Sequence, residues 1–132
     1  MDAEELLEKY AAGERKFHSV NLRGIDVKGA NLSGIDFTGA DLTGADLNDA
    51  NLSKANLQQA NLTRASLTNA NLSELVGSSS LNLTWADLSG ANLGKANLDN
   101  ANFSNANLDS ANLKDATLQS ANFTEFIKHL LI

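Results

Sequence analysis

Residues 50–74 read ANLSKANLQQANLTRASLTNANLSE, five pentads in which an apolar residue falls at every fifth place. A strict period of five matches neither the 3.6 of a helix nor the 2 of a strand, so either element would scatter these leucines around its surface. A fivefold repeat buries one fixed position only if the chain turns a corner after each pentad. Four such corners close a square coil of 20 residues, with the third residue of each pentad filling the interior. The first residue must be small, because it points inward beside its neighbours. The second, fourth and fifth face water or make the turn, and Asn and Asp at the second place suit turns because their side chains bond nearby backbone.

Worked outward, the rhythm covers almost the whole chain. It runs from Val20 to Glu74 and again from Leu81 to Glu125, 20 pentads in all. The third place is apolar in all 20 and Leu in 16; the first is Ala in 16 and the second Asn or Asp in 18. Gly24, Gly29, Gly34, Gly39 and Gly44 recur at the fifth, turn-forming place, so they form no phosphate loop. Between the two runs lies LVGSSS, Leu75–Ser80. The step from Leu72 to Leu83 is 11 residues, two pentads plus one, so six residues occupy one face. Gly77 stands where a Leu would fill the core, which requires Leu75 or Val76 to lean in or leaves a small void.

The pattern A(N/D)LXX resembles the pentapeptide-repeat family over roughly residues 15–125, and LLEKYAAGERKFHSVNLRG (residues 6–24) resembles the lead-in of cyanobacterial members. The resemblance implies an all-β fold, a right-handed quadrilateral parallel β-helix (solenoid) of about 5–6 coils. With about 4.8 Å between coils the rod is roughly 26 Å long. Three regions are expected: a capping helix over residues 1–14, the β-helix over 15–125 with an irregular insertion at 75–80, and a C-terminal cap over 126–132. Asp2 is the expected N-cap and Glu5 its N3 residue; Leu6, Leu7, Tyr10 and Ala11 form an apolar stripe, and Gly13 ends the helix. Such caps protect the open end coils of a solenoid. The apolar C-terminal residues Ile127, Leu130 and Leu131 alternatively make a homodimer contact, as a C-terminal element does in some relatives, so the expected state is a monomer or a C-terminal homodimer.

Composition narrows the function. The 132 residues carry a net charge of −6 and contain neither Cys nor Pro. Thiol catalysis, disulfides and Cys-ligated zinc are excluded. From Arg15 to Thr124 eight basic residues face ten acidic ones, a net of −2, and no basic stripe exists to neutralise phosphates. Direct nucleic-acid binding is therefore not expected. The N-terminus is acidic where a signal peptide is basic, and no apolar run approaches the 18 or so residues of a membrane helix. A cytoplasmic protein with no membrane association is expected. The two histidines, His18 and His129, lie near opposite ends of the repeat and cannot form a joint metal or catalytic site. Asp26, Asp46 and Asp87 share a face but Ser66 interrupts them, which makes paired-carboxylate chemistry improbable. No catalytic residue, metal ligand or cofactor is expected, and the chain reads as no enzyme.

What remains is a non-enzymatic scaffold or protein-interaction module with an unknown protein partner. The expected contact is the break and its neighbour, Leu75, Val76, Ser78, Ser79 and Trp85. Trp85, the single Trp, takes an outward fifth place on a surface of Ser, Thr, Asn, Lys and Asp. It either folds over the bulge to cover Leu75 or Val76, or marks a recognition spot, since Trp is enriched at interface hot spots. The alternative function, implied by the resemblance, is a DNA-mimicking regulator of a type II topoisomerase (DNA gyrase). A repeat region with a net charge of only −2 and a rod shorter than one duplex turn of roughly 34 Å speak against it.

Overall fold

The computed structural model describes residues 1–124. They form one helix, α1 (Ala3–Ala11), followed by a parallel coil. Second-place residues pair every 20 residues, as in Asn31 with Asn51 and Asn51 with Asn71. Four pairings occur per turn of the coil, one on each face. No continuous strand exists among the described residues, because each side contributes a single bridged residue before the chain turns. The sheet-like sides of the β-helix are thus ladders of isolated bridges, the consequence of a corner every five residues.

Hydrogen bonds account for all five N–H groups of a pentad, and this explains the repeat better than propensity does. The pentad Ala50–Lys54 is representative. The first N–H closes the preceding turn (Ala50 to the Leu47 carbonyl, 3.1 Å), and the second reaches the coil before (Asn51 to Ala30, 2.9 Å). The third and fifth reach the coil after (Leu52 to Asn71, 2.7 Å; Lys54 to Ser73, 2.9 Å). That leaves the fourth N–H, which the second-place side chain takes: Ser53 N–H donates to Asn51 Oδ1 at 3.0 Å. Asn and Asp recur because they complete this pattern, chiefly within their own pentad.

Two second places of the 20 pentads lack an Asn or Asp, and a residue of the preceding coil substitutes. Ser66 cannot reach the Thr68 N–H, which donates instead to Asn48 Oδ1 at 2.9 Å. Thr117 likewise leaves the Gln119 N–H to Asp99 Oδ1 at 2.8 Å. Each turn has its fifth residue in the left-handed region, which defines a type II turn and suits Gly. Fifteen non-glycine residues nevertheless adopt positive φ, all at that place, and in eleven of them, Asp49 and Lys54 among them, the residue's own N–H bonds to the next coil.

The third-place side chains and the first-place alanines form one continuous core from Leu6 to Leu108. At the N-terminal end, α1 lies over the first coil. Asp2 caps it by accepting from Glu5 N–H at 2.9 Å, Leu6 is fully buried, and Ala3 and Tyr10 pack against the core. The Tyr10 hydroxyl donates to the Ser33 carbonyl at 2.6 Å, and the Arg15 guanidinium lies 3.7 Å over the Tyr10 ring. The buried stripe is therefore Ala3, Leu6 and Tyr10. Leu7 and Ala11, expected to belong to it, are exposed, because burial of Leu6 turns them toward water. At the other end Leu113, Leu118 and Phe123 are half-buried, with the Phe103 and Phe123 rings stacked at 5.1 Å. The C-terminal cap of 126–132 and the contact residues Ile127, Leu130 and Leu131 lie outside the described residues.

Candidate interaction site

The break occupies the face that carries Phe17, Phe37 and Leu57 before it and Leu98 and Leu118 after it. Val76 takes the second place, bridging Asn56 on one side and Asn97 on the other. The step from 56 to 76 is the usual 20, whereas that from 76 to 97 is 21, so one residue has been added. Hydrogen bonds locate it. Gln59 N–H donates to the Ser79 carbonyl at 2.6 Å, making Ser79 the fourth-place residue, while Gly77 N–H donates to Asn97 at 2.8 Å from the third place. The residue between them, Ser78, is the insertion. Its carbonyl, pushed out of the ladder, accepts from Asn100 Nδ2 at 3.2 Å.

The missing core side chain at Gly77 is replaced from both sides. A Cβ on Gly77 would stand 2.5 Å from Leu81 Cδ2 and 3.1 Å from Leu75 Cδ1. Both leucines sit at first places, where alanine is the rule, and both are buried. Their extra methyl groups fill the volume that a third-place Leu fills elsewhere. Leu75 is only 1% exposed, so it forms core and cannot belong to an outward contact. The surface at the break consists of the partly exposed Val76, Ser78 and Ser79 and the exposed Ser80.

Trp85 stands at the next corner with φ 62°, its N–H donating to Ser104 at 3.0 Å and its side chain 54% exposed. Leu75 belongs to the core, as the first-place alanines do. The neighbour of Trp85 is Arg64, the fifth-place residue of the coil before, whose guanidinium carbon lies 5.6 Å from the ring centroid. Such stacking holds the ring outward and contributes about 0.5–1 kcal/mol at an exposed site. Arg64 was readable in the sequence only by carrying the 21-residue step back from Trp85. The corner thus presents an aromatic face and a cation together, an arrangement suited to a partner surface and not to bond-making chemistry.

Elsewhere the charged residues act on the coil. At the N-terminal end fourth-place bases pair with second-place acids of the next coil: His18 Nε2 with Asp36 Oδ2 at 2.6 Å, Arg23 with Asp41 at 3.2 Å, and Lys28 with Asp46 at 3.6 Å. Partial burial pushes the Asp36 carboxyl up, but bonds from the Thr38 hydroxyl, His18 and the Thr38 N–H outweigh it and hold it below the usual carboxylate value. The Thr43 hydroxyl lowers Asp41, against partial burial, with help from the Thr43 N–H and Arg23. A depressed carboxylate contributes stability that is complete above its unfolded pKa and is lost as pH falls through the folded one. The melting midpoint should therefore fall in the acid range below about pH 4. Thr43→Val, which removes the hydroxyl donor to Asp41, should shrink that fall when midpoints are compared between neutral pH and pH about 3. Among the described residues no cluster of three or more His, Asp or Glu is placed to hold a metal, and no helix is long and apolar enough to cross a membrane.

A coil of A(N/D)LXX pentads bridged at 20-residue intervals, capped by α1, defines a pentapeptide-repeat protein. The family described as pentapeptide repeats matches residues 16–53, 45–75 and 86–125 with eight copies, and this chain belongs to it. The matches leave out residues 76–85, which hold Ser78 and Trp85. Among solved structures, the chain is similar to HetL, a pentapeptide repeat protein involved in heterocyst differentiation regulation from the cyanobacterium Nostoc sp. strain PCC 7120. The two are 40% identical with a TM-score of 0.85, over 88% of this chain and 48% of HetL, so this chain spans about half of HetL's length. It is also similar to alr5209, a pentapeptide repeat protein from Nostoc PCC 7120, at 29% identity and a TM-score of 0.73 over 89% of this chain and 96% of alr5209. These neighbours imply a right-handed β-helix. No curated protein sequence matches the chain.

Proposed function

We propose that this protein is a non-enzymatic interaction module that binds a partner protein through the corner carrying Trp85 and Arg64, with Val76, Ser78 and Ser79 on the far side of the preceding corner. The observation that carries this reading is Trp85 itself, 54% exposed where no fold requirement calls for an aromatic residue. A type II corner needs only a residue tolerant of positive φ, and Ser110 and Ser120 fill equivalent places at φ 61°. The similarity to HetL, a protein involved in regulating differentiation, supports a regulatory role exerted by binding. A gyrase-directed DNA mimic is the weaker reading. The described repeat carries little net charge, and the fluoroquinolone-resistance protein QnrB1, at 18% identity and a TM-score of 0.24, adds no argument.

Capture from a cell lysate with two baits tests the proposal. The native chain should retain a partner that Trp85→Ser loses, with binding weakened about thirtyfold, the effect of a hot spot worth about 2 kcal/mol. Ser fits the corner, so the variant should melt with the native protein. A partner held equally by both baits would remove Trp85 from the contact.

A further inference from the structure

The face after the Trp85 corner and the next one carries Leu52, Leu72, Leu93 and Leu113 inward, and its outer corner carries an ordered row of charge. After Gly34 its fifth-place residues are Lys54, Glu74, Lys95 and Asp115, so the sign alternates from coil to coil. All four are exposed, and their φ values of 60°, 59°, 59° and 62° put them in equivalent conformations. The N–H groups of Lys54, Glu74 and Lys95 each reach the next coil at 2.9 Å, which fixes the spacing of the row. None of the four is among the ion pairs of the described residues, in contrast to the paired bases near the N-terminus. Beside the row lies a hollow of about 310 Å³, opened where Gly94 supplies no side chain and bounded by Ser73, Asn92, Asn112 and Lys114.

We propose that this face docks a second copy of the same chain side by side and antiparallel. The order of signs selects both the partner and its direction. A copy laid parallel and in register would set like charge against like at every rung, and one shifted by a coil would match only three rungs in a contact that does not close. Turned about a two-fold axis between Glu74 and Lys95, it sets Lys54 against Asp115 and Glu74 against Lys95, each pair occurring twice. The contact is isologous, as expected of a homodimer. A row with no net charge lets two acidic chains meet without adding repulsion at the contact, and the Gly94 hollow lets the faces approach near the axis. Exposed ion pairs contribute little each and are screened by salt, so the dimer is weak and salt-sensitive.

Sedimentation of the full chain up to about 1 mM, at low and at about 0.3 M salt, tests this in the range where exposed pairs operate. The native chain should dimerise at low salt and dissociate at high salt. Lys95→Glu, which sets like charges against each other at two rungs, should weaken the dimer at least tenfold. Glu74→Lys combined with Lys95→Glu keeps every antiparallel rung complementary and should restore it to within about threefold. All the substitutions are at exposed corners, and circular dichroism checks the fold. A native chain that stays monomeric, a dimer indifferent to Lys95→Glu, or a double variant that fails to recover would each overturn the proposal; an indifferent dimer would be held elsewhere, such as end to end.

Discussion

Gly77→Leu should destabilise the protein by about 3 kcal/mol, although it restores the residue that the repeat prescribes at that place. The added Cβ alone would come within 2.5 Å of Leu81 Cδ2, and the rest of the side chain would compete with both Leu81 and Leu75 for filled space. Adding Leu75→Ala and Leu81→Ala should recover most of the loss, because the three changes together rebuild an ordinary pentad interior. Made alone in the native chain, each of those two changes removes a buried side chain with no third-place residue beneath it and should cost about 2–5 kcal/mol. Urea denaturation of the single, double and triple variants gives the coupling. Additive losses, with the triple variant the least stable, would mean that the leucines do not share the volume above Gly77.

Deletions give the second large contrast. Removing Ser78 should leave the fold intact and its stability within about 1 kcal/mol, since Ser78 is the one residue outside the 20-residue repeat and gives up a single bond from Asn100. Removing Ser53 from an uninterrupted corner should cost several kcal/mol. That side could no longer keep Leu52 inward, hold Lys54 on the Ser73 carbonyl and continue to Ala55 in register, because no residue is in excess there. Melting curves of the two deletion variants check this: the Ser78 deletion should melt close to the native protein, and the Ser53 deletion well below it.

The course of the coil was legible in the sequence because one position per pentad has a single physical solution. An apolar third place cannot face water 20 times over, and the 11-residue step from Leu72 to Leu83 revealed one added residue by counting alone. Asp2 was equally readable, since a cap depends on four consecutive residues, here 2–5. What was not legible depends on where atoms end up. The sequence left open whether Leu75 or Val76 filled the place above Gly77; the filling comes from Leu75 and from Leu81, whose own pentad looks ordinary apart from its first residue. Which of three serines was the insertion follows only from the Gln59 and Gly77 hydrogen bonds. The bond from the Thr68 N–H to Asn48, which makes good the missing Asn at 66, links residues 20 apart in the chain. The exposure of Leu7 reflects the seating of α1 on a coil end, which a helical stripe does not fix.

The candidate site was half legible. Trp85 stood out because nothing on a polar corner calls for it, whereas Leu75 looked equally available and lies in the core. The difference is one of depth, since first places point inward and fifth places outward whatever residue they hold.

Ser78 is the single inserted residue in an otherwise uniform parallel coil. Scalar couplings through hydrogen bonds, measured by NMR on the native protein, test it most directly. They should connect Gln59 N–H with the Ser79 carbonyl and Gly77 N–H with the Asn97 carbonyl, with Leu57 N–H on Val76 as the regular reference. A coupling from Gln59 N–H to the Ser78 carbonyl instead would place the extra residue elsewhere and contradict the repair of the coil by Leu75 and Leu81.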